Sequence, residues 1–156
     1  MTTSEMSRIE RKILVSAPRE RVWKFLTTIG DFSKWFEVET AGTFAPGARL
    51  KMTSTNESCK GVEFTMEVER MEPPHTFSWR WHPGMPVPGV DYEKEPTTLV
   101  VFELSEVDGG TEVKVVESGF DRISLTRRAA AFADNEKGWD LMLLSLEKYT
   151  RASAQH

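Results

Sequence analysis

One cysteine in 156 residues, Cys59, rules out an internal disulfide and suits a reducing cytoplasm. Long apolar runs are missing as well, since nothing approaches the roughly 20 apolar residues a membrane helix needs. The opening segment MTTSEMSRIERK has no apolar stretch of the kind a secretory leader carries. These absences predict a soluble, unexported, cytoplasmic chain with no membrane insertion. Neither sign of charge dominates: 20 Lys and Arg against 24 Asp and Glu give a formal charge of -4. The basic residues are scattered, which argues against nucleic acid as a partner. His75, His82 and His156 are too dispersed for a metal site. No nucleophile elbow, phosphate-cradling glycine loop or dinucleotide fingerprint occurs, so no cofactor is implied. Cys59 has no histidine close by in sequence and reads as an incidental thiol. Internal repeats and low-complexity segments are absent too.

What is present is enough apolar surface (39%) for a core, in a length that fits one domain over residues 1–156 with its core at about 8–151. The longest periodic stretch runs from about Ser124 to Arg151 without proline. It carries Phe132, Trp139 and Leu146 at heptad-like spacing, with Met142 and Tyr149 on the same stripe and Ser124 as N-cap. A helix of that length spans about 40 Å. Asn135 and Glu136 interrupt the stripe midway, and either they enter the interior or they rotate to solvent. Gly138 beside them suggests close backbone approach or vacant room. The other face, with Arg127, Arg128, Lys137, Asp140, Glu147 and Lys148, reads as solvated.

Ahead of this helix the chain opens on a strand, RIERKILVSA, with Ile9, Ile13 and Val15 on one face and Arg11 breaking that face near an edge. Pro18 then starts a helix with the stripe Val22, Phe25, Leu26 and Ile29, which Gly30 stops. Asp31 caps a second short turn carrying Phe32, Trp35 and Phe36. From about residue 37 the apolar period becomes 2, predicting strands near 37–44, 48–56, 60–71, 75–81, 97–107 and 111–118. Pro46-Gly47, Lys60-Gly61, Pro73-Pro74 and Gly109-Gly110 mark the turns. The fold expected is α+β: a curved antiparallel sheet of about seven strands, two short helices, and one long C-terminal helix across the apolar face.

Several of these segments, VSAPRERVWKFLT, FSKWF and above all ESGFDRISLTRRAAAFADNEKGW at 117–139, resemble the helix-grip superfamily (SRPBCC, START-like, birch-pollen-allergen-like). Within it they look like the branch named for the C-terminal domain of the activator of the heat-shock-protein-90 ATPase. The resemblance covers nearly the whole chain. It implies a sheet gripping the helix, with a cavity between them that in many members holds a lipid, hormone, polyketide or other apolar molecule. The eukaryotic co-chaperone has a further N-terminal domain that this sequence does not contain, which sets chaperone regulation behind the other roles.

The strand period puts Phe64, Met66, Phe77, Trp79, Trp81 and Val115 on the inward face, opposite Trp139 and Met142 of the helix, as a candidate apolar ligand site. Phe44, Met52, Val101, Val113 and Leu146 extend the same lining. The same side chains equally suit a plain core at normal density. Alternation through Val113 and Val115 carries Glu117 inward, and Glu117, Asn135 and Glu136 are the candidate catalytic groups. A carboxylate in such a place either acts on a ligand or sits at the mouth, solvated or paired with Arg80 or Arg122. The segment from His82 to Pro96 holds four of the eight prolines and is long for a hairpin, so it is either a lid with Met85, Val87, Val90 and Tyr92 beneath it or an ungated flap. Three roles follow: a binder or carrier of a small apolar ligand, a cofactor-free enzyme of the cyclase or hydratase kind, and a chaperone ATPase regulator. The first two rest on a hollow between helix and sheet.

Overall fold

The computed structural model describes residues 7–153; the polar segment before them and His156 lie outside it. In chain order the elements are β1 (Arg8–Val15), α1 (Arg19–Thr27), α2 (Ile29–Phe36), β2 (Val38–Glu39), β3 (Arg49–Ser54), β4 (Glu63–Glu72), β5 (Thr76–Trp81), β6 (Thr98–Val107), β7 (Gly110–Ser118) and α3 (Leu125–Ser153). Single 3-10 turns stand at Tyr92–Lys94 and Phe120–Arg122. The strands form one antiparallel sheet in the order β1-β7-β6-β5-β4-β3-β2, curled into a half-barrel around α3. This is the architecture the periodicities predict and the helix-grip arrangement that the resemblance implies.

The differences from expectation are local. The first helix ends at Thr28, which is extended (φ -98, ψ 124), and Gly30 lies inside α2 rather than stopping α1. A β-branched residue accepts the extended conformation as readily as glycine accepts a turn, so Thr28 breaks the helix without a left-handed residue. The strand expected over 37–44 shrinks to Val38–Glu39, beyond which Thr40 reaches the Lys51 carbonyl through its hydroxyl at 2.9 Å. In β6 the inward residues are Thr98, Val100, Phe102 and Leu104, so Val101 faces outward, between Ser78 and Val116. Four apolar residues in a row, Leu99 to Phe102, carry no alternation, and only cross-strand pairing decides which set is buried.

On α3 the buried set is Arg128, Ala131, Phe132, Trp139, Leu143, Leu146 and Thr150. Tyr149, expected on the stripe, is 38% exposed. A straight helix drifts by about 20° per heptad against a 3.5 repeat, so three heptads after the start the buried position has moved from 149 to 150. Arg128, expected in solvent, is buried: its guanidinium donates to the carbonyls of Asp121 (2.7 Å) and Ile123 (2.9 Å) and so ties down the turn that leads into the helix. Along its other edge α3 is fastened to β1 by Arg11, whose guanidinium meets Asp140 at 2.8 Å and Glu136 at 3.0 Å.

The core lies between the concave face of the sheet and α3, with α1 and α2 closing one end. It is aromatic to an unusual degree. Phe32, Phe36, Trp35, Trp79, Phe102 and Trp139 form a chain of ring contacts with centroids 4.8 to 6.3 Å apart. A bulge at Glu69, between the pairs Val68↔Trp79 and Arg70↔Ser78, lets Val68 and Met71 both join this face.

Gly138 has open space where a Cβ would stand, so close backbone approach does not account for it. Gly138→Ala is therefore expected to stabilise the fold by up to about 1 kcal/mol through helix propensity alone. Thermal unfolding should show it as a rise of about 2–4 °C.

Candidate functional site

Glu117 is the point where the sheet, the helix and the long loop meet. Alternation along β7 turns Thr111, Val113, Val115 and Glu117 inward, and the register sets Glu117 between Ile9 of β1 and Val100 of β6. Its carboxyl is fully buried, at 0% exposure. Four side chains from three elements converge on it. Trp139 Nε1 donates to Oε1 at 2.8 Å, and Asn135 Nδ2 reaches Oε1 at 2.9 Å and Oε2 at 3.0 Å, both from α3. Trp81 Nε1, at the end of β5, donates to Oε2 at 2.7 Å, and Thr98 Oγ1, its cross-strand partner on β6, donates to the same oxygen at 2.6 Å.

None of these donors carries a charge, and neither Arg80 nor Arg122 reaches the carboxyl: Arg80 bonds Glu69 at 2.9 Å, and Arg122 bonds the Thr97 carbonyl at 3.2 Å. Burial pushes the Glu117 carboxyl up from its ordinary value, while the hydrogen bonds from Thr98, Trp81, Trp139 and Asn135 pull against that shift. The two indoles and the amide offer only N–H groups here, so a protonated carboxyl could hand its proton to Thr98 alone. The box is thus shaped to receive a carboxylate, in surroundings that make one expensive.

The segment from His82 to Pro96 lies over this box and docks on α3. Gly84 N–H donates to Asn135 Oδ1 at 3.0 Å, so the amide that holds Glu117 with one end holds the loop with the other. Met85 N–H reaches Asp134 Oδ2 at 3.3 Å. Gly84 has φ +79, and a Cβ there would stand 2.9 Å from the Cα of Ala131, so only glycine lets the loop sit this close to the helix. Further along, Glu95 meets Arg127 at 3.0 Å, the same guanidinium lies 5.7 Å from the Tyr92 ring centroid, and Tyr92 Oη accepts from Val87 N–H at 2.7 Å. Met85 and Val87, expected beneath a lid, are exposed.

Of the candidate catalytic residues, the fold brings Glu117 and Asn135 together and sends Glu136 away, to Arg11 at the edge of the sheet. Met66, Phe77, Trp79, Val115 and Trp139 are buried on the inward side, with Phe64, Trp81 and Met142 half-buried against them. The hollow expected beside the polar midpoint of α3 is filled by the chain's own rings. Trp81 stacks on Trp139 with centroids 5.8 Å apart, Phe64 and Phe36 lie 5.7 and 5.9 Å from Trp81, and Phe102 lies 5.6 Å from Trp139. Open recesses lie instead on the outside, one of about 560 Å³ between α2 and the end of α3 and one of about 310 Å³ beside Ile13 and Val107.

Sequence reasoning missed Thr98 and Gly84 and took Trp81 for apolar lining alone. A polar residue on the inward face is the signal for Thr98, hidden by the apolar run that follows it. Among the described residues no cluster of His, Cys, Asp or Glu is arranged to hold a metal, and no helix is long and apolar enough to cross a membrane.

With this geometry in place, comparison with known proteins gives the class. Residues 16–151 match the model of the family described as Activator of Hsp90 ATPase homolog 1-like protein, and the chain belongs to that family. No curated protein matches it in sequence. Among solved structures it resembles protein MLL2253 from Mesorhizobium loti, at 24% identity and TM-score 0.71, over 91% of this chain and 95% of that one. The Aha1 dimer from Colwellia psychrerythraea is similar at 24% identity and TM-score 0.70, over 92% and 96%. DynU16, from the dynemicin biosynthetic locus, shares 21% identity at TM-score 0.69, over 92% of this chain but 46% of its own length. At these identities the likeness is one of fold.

The sign of the Glu117 shift predicts a pH dependence. A folded state that holds this proton more tightly than the unfolded chain draws stability from it below the ordinary value of 4.5, and loses that stability as pH rises through the higher folded value. Glu117→Gln carries no such proton. The unfolding free energy of the native chain minus that of Glu117→Gln should therefore fall as pH rises from about 4.5 and then level off, which denaturant titrations at a series of pH values will show. A difference that stays flat from acid to neutral pH would mean that the four donors balance burial, and one that rises with pH that they outweigh it.

Proposed function

We propose that this chain binds a small, largely apolar molecule between the sheet and α3, with Glu117 as its polar anchor and the 82–96 segment as its cover. The observation that carries this reading is the buried carboxyl itself, held only by uncharged donors beneath a loop that is fastened to the same asparagine. A core built for stability alone gains little from such a group, because desolvating a carboxylate costs several kcal/mol that an aliphatic residue would not. Its partners are arranged as a recognition site would be, with two of the four, Trp81 and Asn135, half-buried on the loop side and the other two sealed behind them.

The standing hollow that a binder was expected to need is filled by rings, so this reading rests instead on displacement: a ligand enters by moving side chains aside. The loop's fastenings to α3 are polar contacts at Asn135, Asp134 and Arg127, each of which water can replace as the loop lifts. Binding is then coupled to opening, and affinity is lowered by the fraction of time the site is closed. Aromatic, lipid-like and polyketide-like molecules are the classes that the family's fold and this lining suit. A cyclase or hydratase would use the same space, but Glu117 stands there without a second titrating group: Glu136 points away, and Asn135 neither gives nor takes a proton. The binder reading needs only the anchor and the cover. Chaperone ATPase regulation, the role in the family's name, has no observation here that favours it, and stimulation of a chaperone ATPase by the purified chain would count for it.

A ligand-detected NMR screen of small apolar molecules against the purified chain is the direct test. Binders are expected, and their saturation should slow amide exchange at Gly84 and Met85; a screen without binders would reject this function. Asn135→Leu removes the shared tie, leaving the Gly84 N–H and the Glu117 oxygens each short of a partner at a cost of about 1–3 kcal/mol. Hydrogen exchange should then accelerate across the 82–96 segment more than in β6 and β7.

A further inference from the structure

Resting on that reading, we infer the chemical class of the ligand from the group that occupies its place: Trp81 is a resident stand-in, and the site takes planar aromatic molecules of one or two fused rings that carry a ring N–H or phenolic O–H donor.

Trp81 occupies a slot built for such a shape. Its indole lies nearly parallel to Trp139, with an interplanar angle of 29°. Trp79 and Phe64 close the sides edge-on, at 77° and 79°. The slot therefore favours a flat ring over a branched or saturated skeleton, because stacking on Trp139 and edge contact with two rings reward planarity. One polar requirement is built into it: the N–H of Trp81 meets Glu117 Oε2 at 2.7 Å. Thr98 and Asn135 keep their bonds to that oxygen when Trp81 leaves, but the direction Trp81 served is then empty. A ligand lacking a donor would leave this buried oxygen with one hydrogen bond fewer than it has now, whereas an in-plane N–H or O–H restores the full set. No cation lies among the carboxyl's partners, so the site offers an anionic ligand no compensating charge.

Trp81 is also the member able to move. Thr98 and Trp139 are buried, while Trp81 is half-buried and is the last residue of β5, immediately before the 82–96 segment. Lifting that segment from Asn135 and Ala131 frees the backbone to which the indole is attached. The donor requirement then works by exchange: one N–H leaves the carboxylate as another arrives, and the oxygen keeps all of its hydrogen bonds in the bound state.

The test compares indole with 1-methylindole, which keeps the shape and loses the donor, on the native chain and on Trp81→Ala, in which the slot is vacated. Ligand-observed NMR gives affinities, and the indole N–H cross-peaks of Trp81 and Trp139 report the site in the native chain even if the variant folds poorly. Indole is expected to bind Trp81→Ala at least tenfold more tightly than it binds the native chain. It should also bind at least tenfold more tightly than 1-methylindole, a preference that adding Glu117→Leu, which removes the acceptor, should erase. In the native chain indole should shift the Trp81 N–H resonance. Equal binding of indole and 1-methylindole, or a preference that survives Glu117→Leu, would overturn the donor requirement while leaving small-molecule binding intact. Binding of other apolar molecules with no response to indole from either protein would overturn it in the same way. If no apolar molecule binds either protein, the binding function itself falls and this inference with it.

Discussion

A carboxyl group removed from water has to be met by donors, and around Glu117 that demand reaches every layer of the molecule. Its oxygens take N–H or O–H groups from β5, from the start of β6 and from two positions one turn apart on α3. Each partner is held by different forces, cross-strand pairing for Trp81 and Thr98 and helix packing for Asn135 and Trp139. Small changes in register or helix rotation would leave a buried acceptor unmet, at a cost comparable to that of a large core substitution. The polar midpoint of α3 thereby specifies how the helix sits in the sheet, a task that the interchangeable contacts among the surrounding rings are poorly suited to perform.

The same asparagine carries the constraint outward. Its amide nitrogen serves the carboxyl, and its oxygen receives the loop through Gly84, at a spot where the small side chain of Ala131 lets the loop come close. What is otherwise an ordinary long connection between β5 and β6 is thus referenced to the chemistry beneath it. A change of charge at Glu117, or replacement of Trp81 by another donor, is felt by the loop without any long pathway, because one side chain touches both.

Membership of the Activator of Hsp90 ATPase homolog 1-like family settles the architecture and leaves the occupant of the grip open. The interior here holds rings rather than a standing cavity, which separates two properties that the fold often joins: the place where a ligand would lie, and the vacancy to receive it. Aromatic side chains on a strand end and beneath a polar-tethered loop can fill such a place in the free protein and yield it on binding, at the cost of the contacts among them.

Much of this was legible in the chain. The change of apolar period near residue 37, the turn signals and the proline-free C-terminal stretch specify seven strands, two short helices and one long one, since these follow from local geometry and from which face must be dry. Alternation along Val113 and Val115 also carries Glu117 indoors, and the break in the helical stripe marks Asn135. Other features depended on pairing that no local pattern contains. Four successive apolar residues hid the register of β6, and with it Thr98. A heptad count could not follow the helix's own 3.6 period as far as Tyr149. Above all, whether the space beside Asn135 stays vacant or is closed by Trp81 and Trp139 is a matter of how side chains from distant segments fill a shared volume. Periodicity assigns a residue to a face; only the assembled packing decides what that face touches.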